Sequence, residues 1–530
     1  MPENHALPIS GVPELKRQLL ARDELIATQT LELGSRQRQI DHLKLQIAKL
    51  RRFRFGQSSE RLPGLEQMSL ALEELQASLQ LPAAPIALLD PAPKGTPVRR
   101  KELPAHFERL ENTIEPQSCA CPECGGPLGT LGTDTAEVLE VKTITFTVTR
   151  HIRPKKRCSK CALIVQAPAP PRPIEKSFAG ASLLALVLSW KYAFHLPLYR
   201  QCQIFAHAGL TLSRTTLMQW VGATSELMGP LVAAFARHVL SAPNINADDT
   251  PVRVLEPGSG KTKRGHLWAY VRDGRGWGST DPPAVWYRYS PSWHGRYPQR
   301  HLAHFCGKLQ VDGYAGFDAM FVPQSPMKAA RVMEIACFAH LRRKFFDLYK
   351  AQNSPVAQEA LERIRLLYEI ETAIRGKPAA ERLAQRQKHA VPLLESLHAW
   401  MVATAAKVDP ESAIRKAFNY GFNHWDALKR YAEDGHLEID NNTAERSVRG
   451  IGVGKKNYLF FGSDSGGERA AIMYSIIETC KLNHIDPQRY LQYVLERIAE
   501  HPINRIEELL PWNVGLQLNQ PEQVTQALAA

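Results

Sequence analysis

The sequence lacks any long run of apolar residues. Its longest uncharged apolar stretch, residues 181–190, is about half of the roughly 20 residues that a helix needs to cross a bilayer. The polar N-terminus, which begins Met1-Pro2-Glu3, also lacks the apolar core of a signal peptide. We therefore expect no membrane span, and we expect residues 181–190 to form a buried helix.

The sequence also lacks the dense, regularly spaced cysteines of a disulfide framework. Nine cysteines are spread over 530 residues, a usage that fits a reducing, cytoplasmic environment. Four of them stand singly among apolar or aromatic neighbours, as reduced core thiols often do. These four are Cys202, Cys306, Cys337 and Cys480.

Acidic residues are fewer than basic ones. The chain has 66 Lys and Arg against 53 Asp and Glu, which gives a net charge of +13. This balance favours polyanionic partners, of which nucleic acid is the commonest, although charge alone leaves a basic soluble enzyme equally open. A chain of 530 residues is too long for one core, and it predicts about three or four domains.

Residues 1–55 are predicted to contain one long helix. Between residues 19 and 47, Leu or Ile recurs at every seventh position, which is the spacing of a coiled-coil seam. In the first half of this helix, the second seam position of the heptad lacks apolar residues. An amphipathic helix packed on its own domain therefore stays open as an alternative to an oligomerising coiled coil. A linker, rich in proline and alanine in its second half, is predicted over residues 56–105.

The next domain, residues 106–167, carries two C-x-x-C pairs. Two such pairs predict a closed Cys₄ Zn²⁺ site, which is structural rather than catalytic. Between the pairs, residues 137–150 alternate with period two and predict two closely joined strands, so the domain is interpreted as a zinc ribbon. Cys119 is a less suitable substitute ligand. The four predicted ligands are Cys121, Cys124, Cys158 and Cys161.

Residues 168–243 are predicted to be helical and to bind DNA in the manner of a helix-turn-helix. Gly209 is expected to form the turn, and Ser213 is expected to cap the second helix. Arg214 and Gln219 would then face outward, as a recognition helix requires. An ordinary αα-hairpin is the alternative.

From residue 244 the pattern changes to strands. Three consecutive strands, a fourth that ends at Asp312, and then a helix near residues 328–333 are typical of a ribonuclease-H-like α/β core. We expect this core to cover residues 244–470, with an all-α insertion at about 345–435. A C-terminal helical region is predicted over residues 471–530.

Three carboxylates in this core have settings that suit metal ligands. Asp248 lies in a strand, and Asp312 ends another. Glu445 lies on a helix that Asn441 or Asn442 is expected to cap. Two strand-borne Asp and one helix-borne Glu can converge on a pair of Mg²⁺ or Mn²⁺ ions, and such a pair stabilises the attacking and leaving oxygens of phosphoryl transfer.

Asp249 competes with Asp248 for the first of these roles. Neighbouring residues on a strand point to opposite faces, so only one of the two can serve. The basic residues that follow Glu445 are expected to contact DNA phosphates, although a solvated basic helix face is the alternative. These are Arg446, Arg449, Lys455 and Lys456.

Several segments together resemble the transposases of the insertion sequence 66 family, and the resemblance extends from the first helix to about residue 500. It implies an Asp-Asp-Glu triad on Asp248, Asp312 and Glu445. The family typically has Glu after its first catalytic Asp, where this chain has Asp249. The segments are residues 52–60, 247–252, 310–317, 337–345, 440–446 and 457–463, together with the paired C-x-x-C motifs.

The resemblance and two-metal chemistry together imply a DNA transposase. Such a protein binds the terminal inverted repeats of its element, cuts the DNA to free a 3′-hydroxyl, and joins that hydroxyl to target DNA without a covalent protein–DNA intermediate. It implies action at the nucleoid, a homo-oligomer, and accessory proteins of the same element as possible partners. A nuclease that only hydrolyses DNA and an inactive DNA-binding regulator are the alternatives.

Overall fold

The computed structural model describes most of the chain from residue 177 onwards and parts of the region before it. The chain divides into two compact units, one formed by residues 1–72 with 155–530 and the other by residues 73–154. In the second unit, the described residues 145–149 form neither helix nor strand, and the rest of the predicted strand pair at 137–150 lies outside the described residues. The described ranges are 12–55, 145–149, 155–157, 164–166, 171–175, 177–256, 258–323 and 330–518.

The N-terminal region is a single helix, α1, which spans Val12–Phe55. This confirms the predicted long helix. Several of its heptad positions are exposed, with Leu19, Ile26 and Leu33 each more than half accessible to solvent. An exposed row of large apolar side chains is what a second helix would cover.

A short hairpin follows in the described part of the chain. Strand β1, Lys155–Arg157, pairs antiparallel with β2, Ile164–Gln166. In sequence, Cys158 and Cys161 fall in the connection between these two strands. All four predicted zinc ligands lie outside the described residues, so the ribbon stays a prediction.

Four helices precede the main sheet. The first of them is buried along the uncharged stretch 181–190, as predicted. The helix, turn and helix also form as predicted: Gly209 has a φ of 85°, and the Ser213 hydroxyl accepts a hydrogen bond of 3.0 Å from the Thr216 amide. The helices are α2 Ala181–Tyr192, α3 Leu198–His207, α4 Arg214–Leu227 and α5 Gly229–Leu240.

The core is a five-stranded mixed sheet. Its order is β5-β4-β3-β6-β7, with β3, β4 and β5 antiparallel and with β3, β6 and β7 parallel. The central strand is β3, and it carries the first carboxylate. The strands are β3 Asn244–Leu255, β4 Thr262–Arg272, β5 Ala284–Ser290, β6 Gly307–Gln310 and β7 Val332–Ile335.

The last strand corrects the sequence-based expectation. A helix was expected near residues 328–333, but Val332 and Met333 belong to β7, so that expectation is wrong for these two residues. Residues 324–329 lie outside the described part. Pairing with β6 places Val332 and Ile335 in the core and leaves Met333 exposed, so tertiary hydrogen bonding decides the conformation of this short segment.

A group of helices lies between β7 and the helix that carries Glu445. Their apolar faces share one buried cluster, and the hydroxyls of Ser354 and Ser412 cap two of them. The α-helices are α8 Phe338–Gln352, α9 Pro355–Ile374, α10 Ala379–Gln385, α11 Val391–Ala405, α12 Ala413–Asn423 and α13 Trp425–Lys429, with a π-helical turn at Arg386–Ala390 and a 3₁₀ helix at Arg430–Glu433.

The remaining helices complete the core. One of them, α15 (Asp464–Leu482), packs on β5, where the amide of Tyr287 donates to the Ser475 hydroxyl at 2.8 Å, and it runs across residue 470, the expected end of the core. These helices are α14 Asn442–Tyr458, α15 Asp464–Leu482, α16 Pro487–Leu495 and α17 Pro511–Leu518.

The short elements are α6 Arg296–His301 and α7 Asp318–Phe321, with 3₁₀ helices at Arg275–Trp277, Ala315–Phe317 and Ile503–Leu509.

The structure also bears on the expectations about membrane helices and about the four single cysteines. Among the described residues, no helix combines the length and the apolar character that a membrane span requires. Of the four single cysteines, Cys337 and Cys480 are buried and Cys202 is half-buried, whereas Cys306 is exposed, so the expectation of a core thiol is wrong for Cys306.

Candidate active site

Three different elements present the predicted carboxylates. Asp248 lies in the middle of β3, opposite Ala269 of β4. Asp312 lies two residues beyond the end of β6, which runs parallel to β3. Glu445 lies in the first turn of α14. All three residues are half-buried.

The charges of Asp312 and Glu445 act on Asp248. Burial raises the pKa of Asp248 well above its usual value, and the negative charges of Glu445 and Asp312 raise it further. The Asp249 amide, which donates to Oδ1 of Asp248 at 2.8 Å, acts in the opposite direction. The side chains of Asp312 and Glu445 therefore lie close enough to that of Asp248 for their negative charges to act on it.

Asp249 is engaged elsewhere. Its Oδ2 lies 2.5 Å from Nδ1 of His266, and its Oδ1 accepts a hydrogen bond of 2.9 Å from the indole of Trp293. This is the divergence expected for neighbours on a strand. Between the two competing aspartates, Asp248 is the one whose charge couples to Glu445 and Asp312.

Asn441 ties the start of α14 to the central strand. Its side-chain amide donates to the Ala247 carbonyl at 2.8 Å and accepts from Asn246 at 3.0 Å. The residue is fully buried, and it makes no side-chain capping bond. This anchor holds α14 beside Asp248, and through the helix it sets the position of Glu445.

The capping bond at this helix comes from the preceding residue. Asn441 is the N-cap residue, one of the two expected alternatives, but its side chain makes no capping bond, and Oδ1 of Asp440 accepts from the Asn442 amide at 3.1 Å. The side chain of Asn441 forms its hydrogen bonds with β3 instead. Burial raises the pKa of Asp440 to about 7.

The loop that carries Asp312 is held from two sides. Oδ1 of Asp312 accepts from the Tyr314 amide at 3.1 Å, and its carbonyl accepts from the hydroxyl of Tyr420 at 3.0 Å. Gly313 has a φ of 86°, a conformation that favours glycine. Because Tyr420 belongs to α12, the helices after β7 help to position the acidic site.

Two further residues with metal-binding side chains adjoin Glu445. Cys337 immediately precedes α8, and His340 lies in its first turn. Their ligand atoms and a carboxylate oxygen of Glu445 all lie within 4.8 Å of one another. Neither residue was predicted from the sequence to bind a metal ion. A signal was present, since a Cys-x-x-His spacing at a helix start places two soft donors together.

Most of the predicted DNA contacts are exposed. Arg446, Arg449 and Lys456 project from α14 into solvent. The ammonium of Lys455 instead donates to Oγ1 of Thr250 at 2.8 Å and to the Pro251 carbonyl at 2.7 Å. It therefore holds α14 against β3.

The predicted recognition helix also presents its polar residues to solvent. Arg214, at the first position of α4, and Gln219 are both exposed, whereas Leu217 and Trp220 of the same helix are buried. The helix therefore has one face in the core and one face free to contact a partner.

Comparison with known proteins then decides the family. The sequence pattern described as "Transposase IS66 family" matches residues 176–469, which include the whole sheet and all three carboxylates. The chain belongs to the IS66 transposase family. The "IS66 C-terminal element" matches residues 475–512. Membership supports a DNA transposase with DNA-binding regions and a divalent metal requirement.

The N-terminal half matches two further IS66 patterns. The "zinc-finger binding domain of transposase IS66" covers residues 118–162, and this range contains all four predicted zinc ligands. It supports a structural zinc ion. The "Transposase C of IS166 homeodomain" covers residues 42–111.

Full-length relatives are found in Sinorhizobium fredii. The protein y4hP is 38% identical over 492 residues, which is 89% of this chain and 88% of the relative. The protein y4jD is 37% identical over 491 residues, 90% of this chain and 95% of the relative. Both carry the name "uncharacterized protein", so they show that the likeness extends over most of each chain and assign no activity and no residue.

Proposed function

We propose that this protein catalyses metal-dependent DNA cleavage and strand transfer at the ends of its insertion sequence, with Asp248, Asp312 and Glu445 as the ligands of two Mg²⁺ or Mn²⁺ ions. The observation that carries the proposal is the placement of three half-buried carboxylates, one on the central strand, one beyond the end of the parallel neighbouring strand and one in the first turn of α14, with Glu445 and Asp312 close enough to act on the charge of Asp248. Three negative charges gathered in one half-buried place are unfavourable unless a cation offsets them.

The residues present fit a hard divalent cation. Carboxylate oxygens are the ligands that Mg²⁺ prefers. Oε1 of Glu445 is buried, and it has no hydrogen-bond partner among the described residues. A buried carboxylate oxygen without a donor is unfavourable, and a bound cation would satisfy it.

Bound ions would supply the charge stabilisation that phosphoryl transfer requires at the attacking and leaving oxygens. The chain's own contribution is positioning. Asn441 holds the helix of Glu445 against β3, and Tyr420 with the Tyr314 amide holds the loop of Asp312. Such preorganisation places the carboxylates before DNA arrives.

We further propose that the sheet is a ribonuclease-H-like core and that the helical segment at about residues 345–435, from within α8 to the 3₁₀ helix Arg430–Glu433, is an insertion within it. The strand order β5-β4-β3-β6-β7 supports the first statement, since β3 is antiparallel to its neighbour on one side and parallel to its neighbour on the other. The buried cluster that these helices share, which reaches the sheet only at Ile335 of β7, supports the second.

The exposed basic residues suggest how DNA reaches this site. Arg446, Arg449 and Lys456 follow Glu445 on the same helix, and we assign them to the phosphate backbone near the acidic site. Arg214 and Gln219, on the exposed face of α4, are assigned to recognition of the element's ends.

The N-terminal half is assigned to assembly and DNA binding. We propose a structural Zn²⁺ on Cys121, Cys124, Cys158 and Cys161, and a coiled coil through α1 that brings copies of the chain together. Accessory proteins of the same element are further candidate partners.

The experiment is an assay with purified protein, labelled DNA that carries the element's ends, and Mg²⁺ or Mn²⁺. The expected result is a product in which the labelled 3′ end is joined to a second DNA molecule, and no product when divalent ions are left out. Cleaved DNA without joined product would instead identify a hydrolytic nuclease. Specific end binding with neither product, under both metals, would identify a regulator.

A further inference from the structure

The cluster beside Glu445 differs in chemistry from the acidic site. It consists of the thiol of Cys337, the imidazole of His340 and the carboxylate of Glu445, contributed by the starts of α8 and α14. Asp248 and Asp312 contribute oxygen ligands only. A thiol and an imidazole are poor ligands for Mg²⁺, but they are preferred by Zn²⁺ and similar transition-metal ions.

The imidazole and the carboxylate face each other without a hydrogen bond. Nδ1 of His340 lies 3.6 Å from Oε1 of Glu445, which is too long for one. Both atoms are buried, and neither has a hydrogen-bond partner among the described residues.

The spacing suits an ion between these atoms. A tetrahedral ion with bonds of about 2.0–2.3 Å holds its ligand atoms about 3.3–3.8 Å apart. The imidazole nitrogen and the carboxylate oxygen are at 3.6 Å, and all three ligand atoms lie within 4.8 Å of one another. Small rotations of the side chains would close the set around one ion.

The sulfur is oriented by the backbone. The amide of Asn441 donates to Sγ of Cys337 at 3.1 Å, and Asn441 is itself anchored to β3. The thiol therefore has a fixed position relative to Glu445, and a bound metal ion would displace its proton.

We propose that Cys337, His340 and Glu445 form a binding site for one transition-metal ion of the zinc class, and that an ion bound there inhibits the enzyme by withdrawing Glu445 from the acidic site. The metal-binding part stands on the cluster alone. The inhibitory part rests on the proposed function, in which Glu445 is a ligand for Mg²⁺. Its ligands differ from the four cysteines proposed to hold the N-terminal zinc ion.

The test is to count zinc ions in the full-length protein after equilibration with Zn²⁺ and removal of free ion. Cys337→Ser keeps a hydrogen-bond acceptor for Asn441 but removes the thiolate, and His340→Gln removes the imidazole. Each is expected to hold one zinc ion fewer per chain than the wild type. Cys480→Ser, a change at another fully buried thiol, is the matched control and should hold the wild-type number.

Cobalt spectroscopy gives an answer that does not depend on the folding of a variant. After the N-terminal site is filled with zinc, added Co²⁺ should give a thiolate charge-transfer band in the wild type. Equal zinc counts in the wild type and both variants, or no such band, would overturn the proposed metal site.

Inhibition is measured separately. Added Zn²⁺ should suppress strand transfer by the wild type, and Cys337→Ser should need at least about tenfold more zinc for the same suppression. Equal sensitivity would overturn the inhibitory role. If no variant and no wild-type sample transfers strands, the proposed function fails, while the zinc count still decides the metal site.

Discussion

At the scale of single residues, Asp248 is the clearest case of a side chain whose charged form is disfavoured in the folded state. It lies on the central strand, where burial and the charges of Glu445 and Asp312 raise its pKa well above the usual value. A carboxyl group whose pKa is raised by folding contributes stability that is fully present below its unfolded pKa. That contribution is lost as the pH rises through the folded pKa.

We therefore predict that Asp248→Asn stabilises the protein at neutral pH when no divalent ion is added. Each unit by which folding raises the pKa corresponds to about 1.4 kcal/mol, so the advantage over the wild type should grow as the pH rises from about 4 to above the folded pKa. Denaturation curves at several pH values measure it. Mg²⁺ should stabilise the wild type and not the variant. A variant less stable than the wild type at neutral pH would contradict this view of the site.

The residue scale also shows what sequence can and cannot reveal about the site. Asp248 and Asp312 could be located because apolar runs mark the strands that carry them. The role of Asn441 could not, because its partner Ala247 is 194 residues away in sequence. Lys455 was expected to face DNA, yet it binds the backbone of β3, since no local pattern distinguishes an anchored lysine from a free one.

At the scale of elements, the junction between α14 and β3 is the critical contact. Asn441 links the two through bonds to Ala247 and Asn246. The start of the helix thereby has a fixed place relative to Asp248, and Glu445 lies one turn further on.

We predict that Asn441→Ala costs about 1–3 kcal/mol of stability, because it leaves a buried carbonyl without a donor. It should also reduce strand transfer more than DNA binding, since Glu445 loses its position. Asn442→Ala, which breaks one bond to Asp440, is the control and should have a smaller effect on both. Equal effects of the two changes on strand transfer would show that the anchor does not position Glu445.

The short strand β7 shows where sequence prediction of elements failed. Val332 and Ile335 are buried and Met333 is exposed, a pattern too short to indicate a period. Its backbone is paired with β6, and only this long-range pairing makes it a strand. Longer elements with a clear period, such as α1, were predicted because their local pattern and their tertiary environment agree.

Helix α4 carries the prediction about sequence recognition. Arg214→Ala or Gln219→Ala should weaken binding to the element's ends by roughly 1–3 kcal/mol if either side chain contacts a base edge. Binding to random DNA should weaken less. Arg237→Ala, which removes an exposed arginine from the neighbouring helix α5, is the matched control. Equal losses on both DNAs in a gel-shift titration would move recognition elsewhere in the chain.

At the scale of the whole molecule, the family patterns divide the chain between residues 162 and 176. The matches to the N-terminal IS66 patterns end at residue 162, and the match that contains the three carboxylates begins at residue 176. Helix α1 presents exposed leucines and isoleucines at heptad spacing, which suits contact with a second copy.

We predict that deletion of residues 1–55 reduces the pairing of two DNA ends more than the binding of one. The deletion removes the coiled-coil seam and leaves α4 and the acidic site in the chain. Sizing of protein–DNA complexes with one and two ends measures the difference. Unchanged pairing would show that copies of the chain associate through another surface.

The most direct test of the central claim compares four single changes in one strand-transfer assay. Asp248→Asn, Asp312→Asn and Glu445→Gln should each abolish strand transfer and leave DNA binding largely intact, because each removes a metal-binding charge and little volume. Asp249→Asn, the matched neighbour on β3, should retain activity. Loss of strand transfer in Asp249→Asn together with activity in Asp248→Asn would contradict the assignment of the site.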